Sequence, residues 1–127
     1  MTNILQTGKD YDLDQLDKIF NFDYKKPSGI KATKKGYLVL FSNDTSNPYI
    51  DEFMGEVVLY EGQNTGSEVQ KLIYGNKDLY DAYKNRNKKI LLFKNYKFDG
   101  EYFIYKEPYL KENGKWTFPL AKGCLVL

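Results

Sequence analysis

The sequence predicts an α+β domain: one strongly curved, barrel-like β-sheet with two or three flanking helices. Three observations point there. Five apolar or aromatic runs have strand length, "GYLVLFS", "EVVLYEG", "ILLFKNY", "EYFIYKEPYL" and "KWTFPL". Helical spacing occurs in two places, at the amino end and between the second and third of these runs. The 127 residues suffice for one core and not for two, so the chain is read as a single domain spanning 1–127.

Taken in order, Leu13, Leu16, Ile19 and Phe20 recur at helical spacing behind Asp12, whose short carboxylate suits an N-cap. "KKPSG" then interrupts the chain. The strand "GYLVLFS" at 36–42 follows, and "NDTSNP" is loop composition, with Pro48 imposing an extended approach to Tyr49. After the strand "EVVLYEG", Ser67 and Gln70 have capping-box spacing, and Val69, Leu72 and Ile73 are expected to form the buried face of a helix opened by Ser67. Gly75 interrupts that helix, Asn76 is positioned to cap a further turn, and Leu79, Ala82 and Tyr83 continue the stripe. The last three strands are separated by "KFDG" and "KENGK".

Composition excludes several chemistries. Histidine is absent, which removes the commonest general base and metal ligand. A single cysteine, Cys124, forms no internal disulfide and no cysteine-rich zinc site. The terminal "CLVL" matches a prenylation box only formally, lacks a polybasic approach, and reads instead as a strand. With neither a signal-peptide pattern nor an apolar run long enough to span a bilayer, the expected location is cytoplasmic, with no membrane partner. The expectation is also that the chain is the amino-terminal fragment of a larger protein.

Formal charge is only +2, yet the charges are segregated. Asp10, Asp12, Asp14 and Asp17 stand together without a base. Lys25, Lys26, Lys31, Lys34 and Lys35 form one acid-free run, and Lys84, Arg86, Lys88, Lys89, Lys94 and Lys97 form another. Such runs are either solvated faces or, brought together, a track for a phosphate backbone.

The stretch "NPYIDEFMGEVVLYEGQNTGSEVQ" concentrates the remaining candidates. Asp51, Glu52, Glu56 and Glu61 offer carboxylates to a hard cation, but no lysine follows Glu56 at nuclease spacing. "GQNTGS" lacks the lysine that ends a phosphate-binding glycine loop. No catalytic residue, metal or cofactor is therefore assigned. Gly55, Tyr60 and Gly62 form the pattern glycine, tyrosine five residues on, glycine two further, with Asp51 four before the first glycine. Gln70, Lys71, Leu72, Asn76 and Leu79 follow in a fixed order.

These spacings resemble the core of the SRA (SET and RING associated) domain, the reader of modified cytosine in chromatin proteins and bacterial modification-dependent restriction enzymes. The resemblance covers Tyr49 to Leu79 and implies a PUA-related fold that binds double-stranded DNA. It further implies a noncatalytic specificity domain of a prokaryotic restriction system, partnered by other domains or subunits of that complex. Tyr49 and Tyr60 would sandwich a base extruded from the duplex, and Asp51 would accept a hydrogen bond from the exocyclic amine of cytosine. Gly55 and Gly62 would let the backbone approach the base or its phosphate. Lys31, Lys34, Lys35, Lys84, Arg86, Lys88 and Lys89 would hold the flanking backbone.

Each candidate also has a structural reading: Tyr60 as a core ring, Tyr49 as a surface loop residue, Asp51 as a turn cap, the two glycines as turn residues. Gln70 and Asn76 are read as structural, through helix capping. At the level of function, a reader of unmodified duplex DNA through a related pseudobarrel stays open, as do a protein-interaction domain and a nuclease.

Overall fold

In the computed structural model, the described residues are 5–22, 29–33, 36–42, 52–63, 65–66 and 68–123. The elements are α1 (Leu13–Phe20), β1 (Ile30–Ala32), β2 (Tyr37–Ser42), β3 (Glu52–Met54) and β4 (Val57–Glu61), then α2 (Tyr74–Asn85), β5 (Lys89–Lys94), β6 (Lys97–Ile104), β7 (Tyr109–Leu110) and β8 (Trp116–Lys122). One sheet holds all the strands in the order β1-β2-β5-β6-β8-β4-β3, with β7 added alongside β8. The architecture is α+β, as the sequence predicts.

The apolar runs in β2 and β5 are continuous because these strands are covered on both faces. They pair in parallel, Leu38 with Ile90 through Phe41 with Phe93. Leu38, Leu40, Ile90 and Leu92 join Leu79 and Ala82 of α2 in one core. Val39, Phe41, Leu91 and Phe93 join Leu16 and Phe20 of α1 in a second, on the opposite face. Strands of parallel sheets buried in this way lose the two-residue alternation. β6, with one face half exposed, keeps it.

Asp12 caps α1 as predicted, accepting from the Gln15 N–H while the Gln15 side chain returns the bond. The helix expected to open at Ser67 is not formed. Residues 68–73 are irregular, and α2 starts at Tyr74 with Gly75 and Asn76 in its first turn. Gln70 is withdrawn from local capping because its side chain bonds Gly62 and Trp116 instead. Val69, expected inside, is 49% exposed. β1 and β3 are additional strands, each only three residues long. "KFDG" is not a loop but the start of β6; the reversal is made by Asn95 and Tyr96, both at positive φ, as a tight hairpin requires.

The sheet curls around the core beneath α2. Along the sheet β4 and β2 are separated by β8, β6 and β5, yet the Tyr60 hydroxyl of β4 lies 2.9 Å from the Phe41 carbonyl of β2. It lies equally close to the Gly29 carbonyl. The predicted barrel is nevertheless left open: among the described residues no ladder joins the edge strands β1 and β3.

A register shift between Leu92 and Phe93 leaves Asp99 as the extra residue of β6, and its carboxylate accepts from the Tyr102 hydroxyl. Burial, reinforced by Asp99, pushes the Tyr102 phenol well above its ordinary range. A raised folded pKa stabilises the fold fully below the unfolded value of about 10 and is lost as pH rises through the folded value. The urea midpoint of the parent should therefore fall more steeply above about pH 10 than that of Tyr102→Phe. Coverage of both faces of β5 gives a second expectation. Leu91→Ala and Leu92→Ala, neighbours pointing opposite ways, should each cost about 2–5 kcal/mol in urea denaturation. If only one of the two is costly, two-sided burial is refuted.

Candidate nucleic-acid interface

Tyr60, singled out by the sequence, is anchored on two sides. It is 3% exposed, packs in the core under α2, and shares its hydroxyl proton between the Gly29 and Phe41 carbonyls. One residue earlier, Leu59 pairs with Glu52, so β3, which follows the 43–51 connection, begins beside Tyr60. Tyr49 and Asp51 belong to that connection and lie outside the described residues.

Gly62 follows Tyr60 by two residues and is fixed by crowding. A Cβ there would stand 2.7 Å from Asn76 Oδ1 and 2.9 Å from Gln70 Oε1. Both of its backbone groups are engaged, the N–H by the Trp116 carbonyl at 2.8 Å and the carbonyl by Gln70 Nε2 at 2.6 Å. Asn76 Oδ1 accepts from the Gln63 N–H, and its Nδ2 donates to the Gln63 and Lys71 carbonyls. Gln70 and Asn76 are thus structural, but as buried clamps on the chain leaving β4 rather than as helix caps. Gly55 stands at the other end of β4, in the turn from β3, at φ +67 with nothing within 4 Å of a built Cβ. Its backbone conformation, not close packing, calls for glycine.

The second basic run borders the start of β2. The Lys89 N–H donates to the Gly36 carbonyl, which brings 84–89 against the start of β2, immediately after Lys34 and Lys35. Those two lysines are themselves outside the described residues. Lys84 and Arg86 are exposed, Lys88 and Lys89 half-buried. Rings support this basic end: Lys84 lies over Tyr80 and Arg86 over Tyr83, and Tyr80 meets Tyr83 and Trp116 edge-on. A shallow cleft opens between Tyr83, Arg86, Lys88 and Phe103.

Lys31 does not join them. It is 4% exposed, with its ammonium over the Phe22 ring, and burial lowers its pKa against the opposing pull of Asp17. It belongs to the packing of α1 on β1. The basic end also sits at the amino-terminal end of the parallel β2–β5 pair, whereas Phe41 and the 43–51 connection are at its carboxy-terminal end. A strand of six residues separates them by roughly 17–20 Å.

At the carboxy-terminal end stand two residues that the sequence does not connect, Lys94 and Phe53, with the ammonium 4.2 Å from the ring centroid. Only the curl of the sheet brings β5 to β3, which is why local pattern could not pair them. Of the acids, Glu61 is taken by Lys115 at 3.2 Å. Among the described residues no group of three or more histidine, cysteine or acidic side chains could hold a metal, and no helix is long and apolar enough to cross a membrane.

Tyr60→Phe should cost about 1 kcal/mol in chemical denaturation, the value of the hydroxyl bonds, with the ring retained. Lys31→Met should be neutral to within about 1 kcal/mol, since a desolvated ammonium is replaced by apolar volume. A loss of several kcal/mol in the latter would show that the lysine is an essential charge.

A family model of the ScoMcrA-like SRA domain matches residues 14–118. No match is found among curated proteins. Among solved structures, the SUVH5 SRA domain in complex with fully methylated CG DNA is similar, with a TM-score of 0.71 at 21% identity, covering 97% of this chain and 92% of that one. The sulfur-binding and SRA domains of ScoMcrA, complexed with phosphorothioated DNA, give 0.63 at 22% identity, covering 92% of this chain and 39% of that one. The DNA recognition domain of the cytosine modification-dependent restriction endonuclease LpnPI gives 0.59 at 16% identity, covering 91% and 69%. At these identities the likenesses show a shared fold.

Proposed function

Because the chain belongs to the ScoMcrA-like SRA domain family, we propose that it is the DNA-recognition domain of a prokaryotic modification-dependent restriction system, reading a modified cytosine extruded from the duplex. Recognition and not catalysis is the task of such a domain, so cleavage falls to other domains or subunits of the complex. The observation that carries the reading is the placement of Tyr60. Its hydroxyl is tied to two carbonyls at the end of the sheet where the connection bearing Tyr49 and Asp51 leaves β2 and returns beside Leu59.

Extrusion of a base costs a few kcal/mol. Stacking on an aromatic ring returns roughly 1–3 kcal/mol, so a pair of rings, Tyr60 and Tyr49, offsets most of that cost. Tyr60 suits the part because its two hydroxyl bonds fix the ring before a base arrives. The base would enter from the side of the 43–51 connection, since core residues occupy the other sides. Asp51 would accept from the exocyclic amine of cytosine, where thymine presents an acceptor and is repelled. Gly62, its backbone groups already bonded, supports the pocket without touching the base. Gly55, at the far end of β4, is assigned to the hairpin turn. Lys34, Lys35, Lys84, Arg86, Lys88 and Lys89 would hold the flanking backbone without reading its sequence.

The test is fluorescence anisotropy at two salt concentrations, with matched duplexes carrying cytosine, 5-methylcytosine, 5-hydroxymethylcytosine or N6-methyladenine at one site. The wild type should prefer one modified cytosine, Asp51→Ala should erase the preference, and Tyr60→Phe should retain it because the ring remains. Equal binding to all four duplexes would overturn the pocket and leave a reader of unmodified DNA. Absence of binding at low salt would point to a protein partner.

A further inference from the structure

We propose that Lys94 is the ligand of a DNA phosphate at the mouth of the base pocket. The assignment rests on the pocket reading above and adds to it a residue that lies apart from the basic end.

Lys94 is the last residue of β5 and pairs with Ser42, the last of β2. Ile90 and Leu92 face the core under α2, so strand alternation turns Lys94 to the same, concave side. There it meets Phe53 of β3, which packs against that core and pairs with Val58, the rung next to Glu52 and Leu59. Lys94 therefore touches both ends of the 43–51 connection, at Ser42 where it leaves and at Phe53 just after it returns. Its position is also fixed: the Asn95 N–H donates to the Ser42 carbonyl at 2.8 Å, and Asn95 and Tyr96 both hold positive φ. A tyrosine at the second of these sites occupies a backbone region that favours glycine.

The chemistry of the ligand follows from what the ammonium lacks. Lys77, Lys97 and Lys115 have carboxylates at 2.7, 3.0 and 3.2 Å. Lys94 is half-buried, and no described acid lies within ion-pair distance of it. An aromatic face compensates part of the charge from one side, while the three N–H donors still call for an acceptor, best an anion. A base is neutral, so the anion a nucleotide brings to this position is its phosphate.

The experiment compares wild type, Lys94→Gln and Lys94→Arg for affinity to the preferred modified duplex and to its unmodified twin between about 50 and 200 mM salt, the range over which phosphate contacts dominate. Urea midpoints confirm that each variant is folded. Lys94→Gln should weaken the modified duplex about tenfold, the usual effect of losing a charge-assisted bond. It should reduce the log–log salt slope by about 0.9, the signature of one phosphate contact. The order of preference among modified cytosines should stay unchanged, and Lys94→Arg should recover most of the affinity. Wild-type affinity and slope in Lys94→Gln would overturn the assignment while leaving the pocket standing. So would an altered preference at unchanged slope, which would make Lys94 a reader of the base. A wild type with no preference for any modified cytosine would remove the pocket and this assignment with it.

Discussion

The parallel pairing of β2 with β5 is the constraint on which the rest of the molecule depends. Two parallel strands cannot be joined by a hairpin, so the chain must leave the end of β2 and return to the start of β5 through a long crossover. Here the crossover is residues 43–88, and it contains β3, β4 and α2. It also contains almost every residue on which the proposed reading of a base depends. The segment that the proposed reading uses is thus the connection that the central pairing makes obligatory.

Such a crossover has to be fastened to the sheet it spans, and the fastenings are polar. Tyr60 ties β4 to carbonyls at the end of β2 and before β1. Gln70 ties the irregular chain after β4 to Gly62 and to the Trp116 N–H of β8. Asn76 ties the first turn of α2 to Gln63 and Lys71. Each amide is buried, and each would be costly to leave unsatisfied, by about 1–3 kcal/mol. Gly62 lets the two amides close against the backbone at the same point. Local helix propensity yields here: Gln70 has capping-box spacing with Ser67, but its bonds to Gly62 and to the distant Trp116 outweigh one cap.

What was legible in the sequence follows from this division between local and long-range causes. The continuous runs in β2 and β5 are visible because burial on both faces writes itself into every residue. The Asp12 cap is visible because its partner is three residues away. The helix start at Tyr74 is not legible because Gln70 answers to Trp116, far along the chain. β1 and β3, with three residues each, are too short to carry a period. Lys31 reads as part of an exposed basic run, yet it lies under α1 against Phe22, a contact that spacing does not encode. Lys94 and Phe53 meet only because the sheet curls, and that curl is set by the whole topology.

The two ends of the β2–β5 pair then suggest how binding energy is divided on the proposed reading. On that reading, backbone contacts alone would give this chain a salt-sensitive hold on DNA. They give no discrimination, because every duplex carries the same phosphates. On the proposed reading, extrusion of a base would have to be offset locally, by the rings and the carboxylate proposed to meet it. A base whose stacking or hydrogen bonds fall short by even 1–2 kcal/mol leaves extrusion uncompensated. On that reading the length of β2, roughly 17–20 Å, would lie between Gly36 and the Phe41 carbonyl that holds Tyr60, and the two contributions would fall on separate residues. Affinity would then be tunable at Lys84–Lys89 without disturbing which base is accepted beside Tyr60.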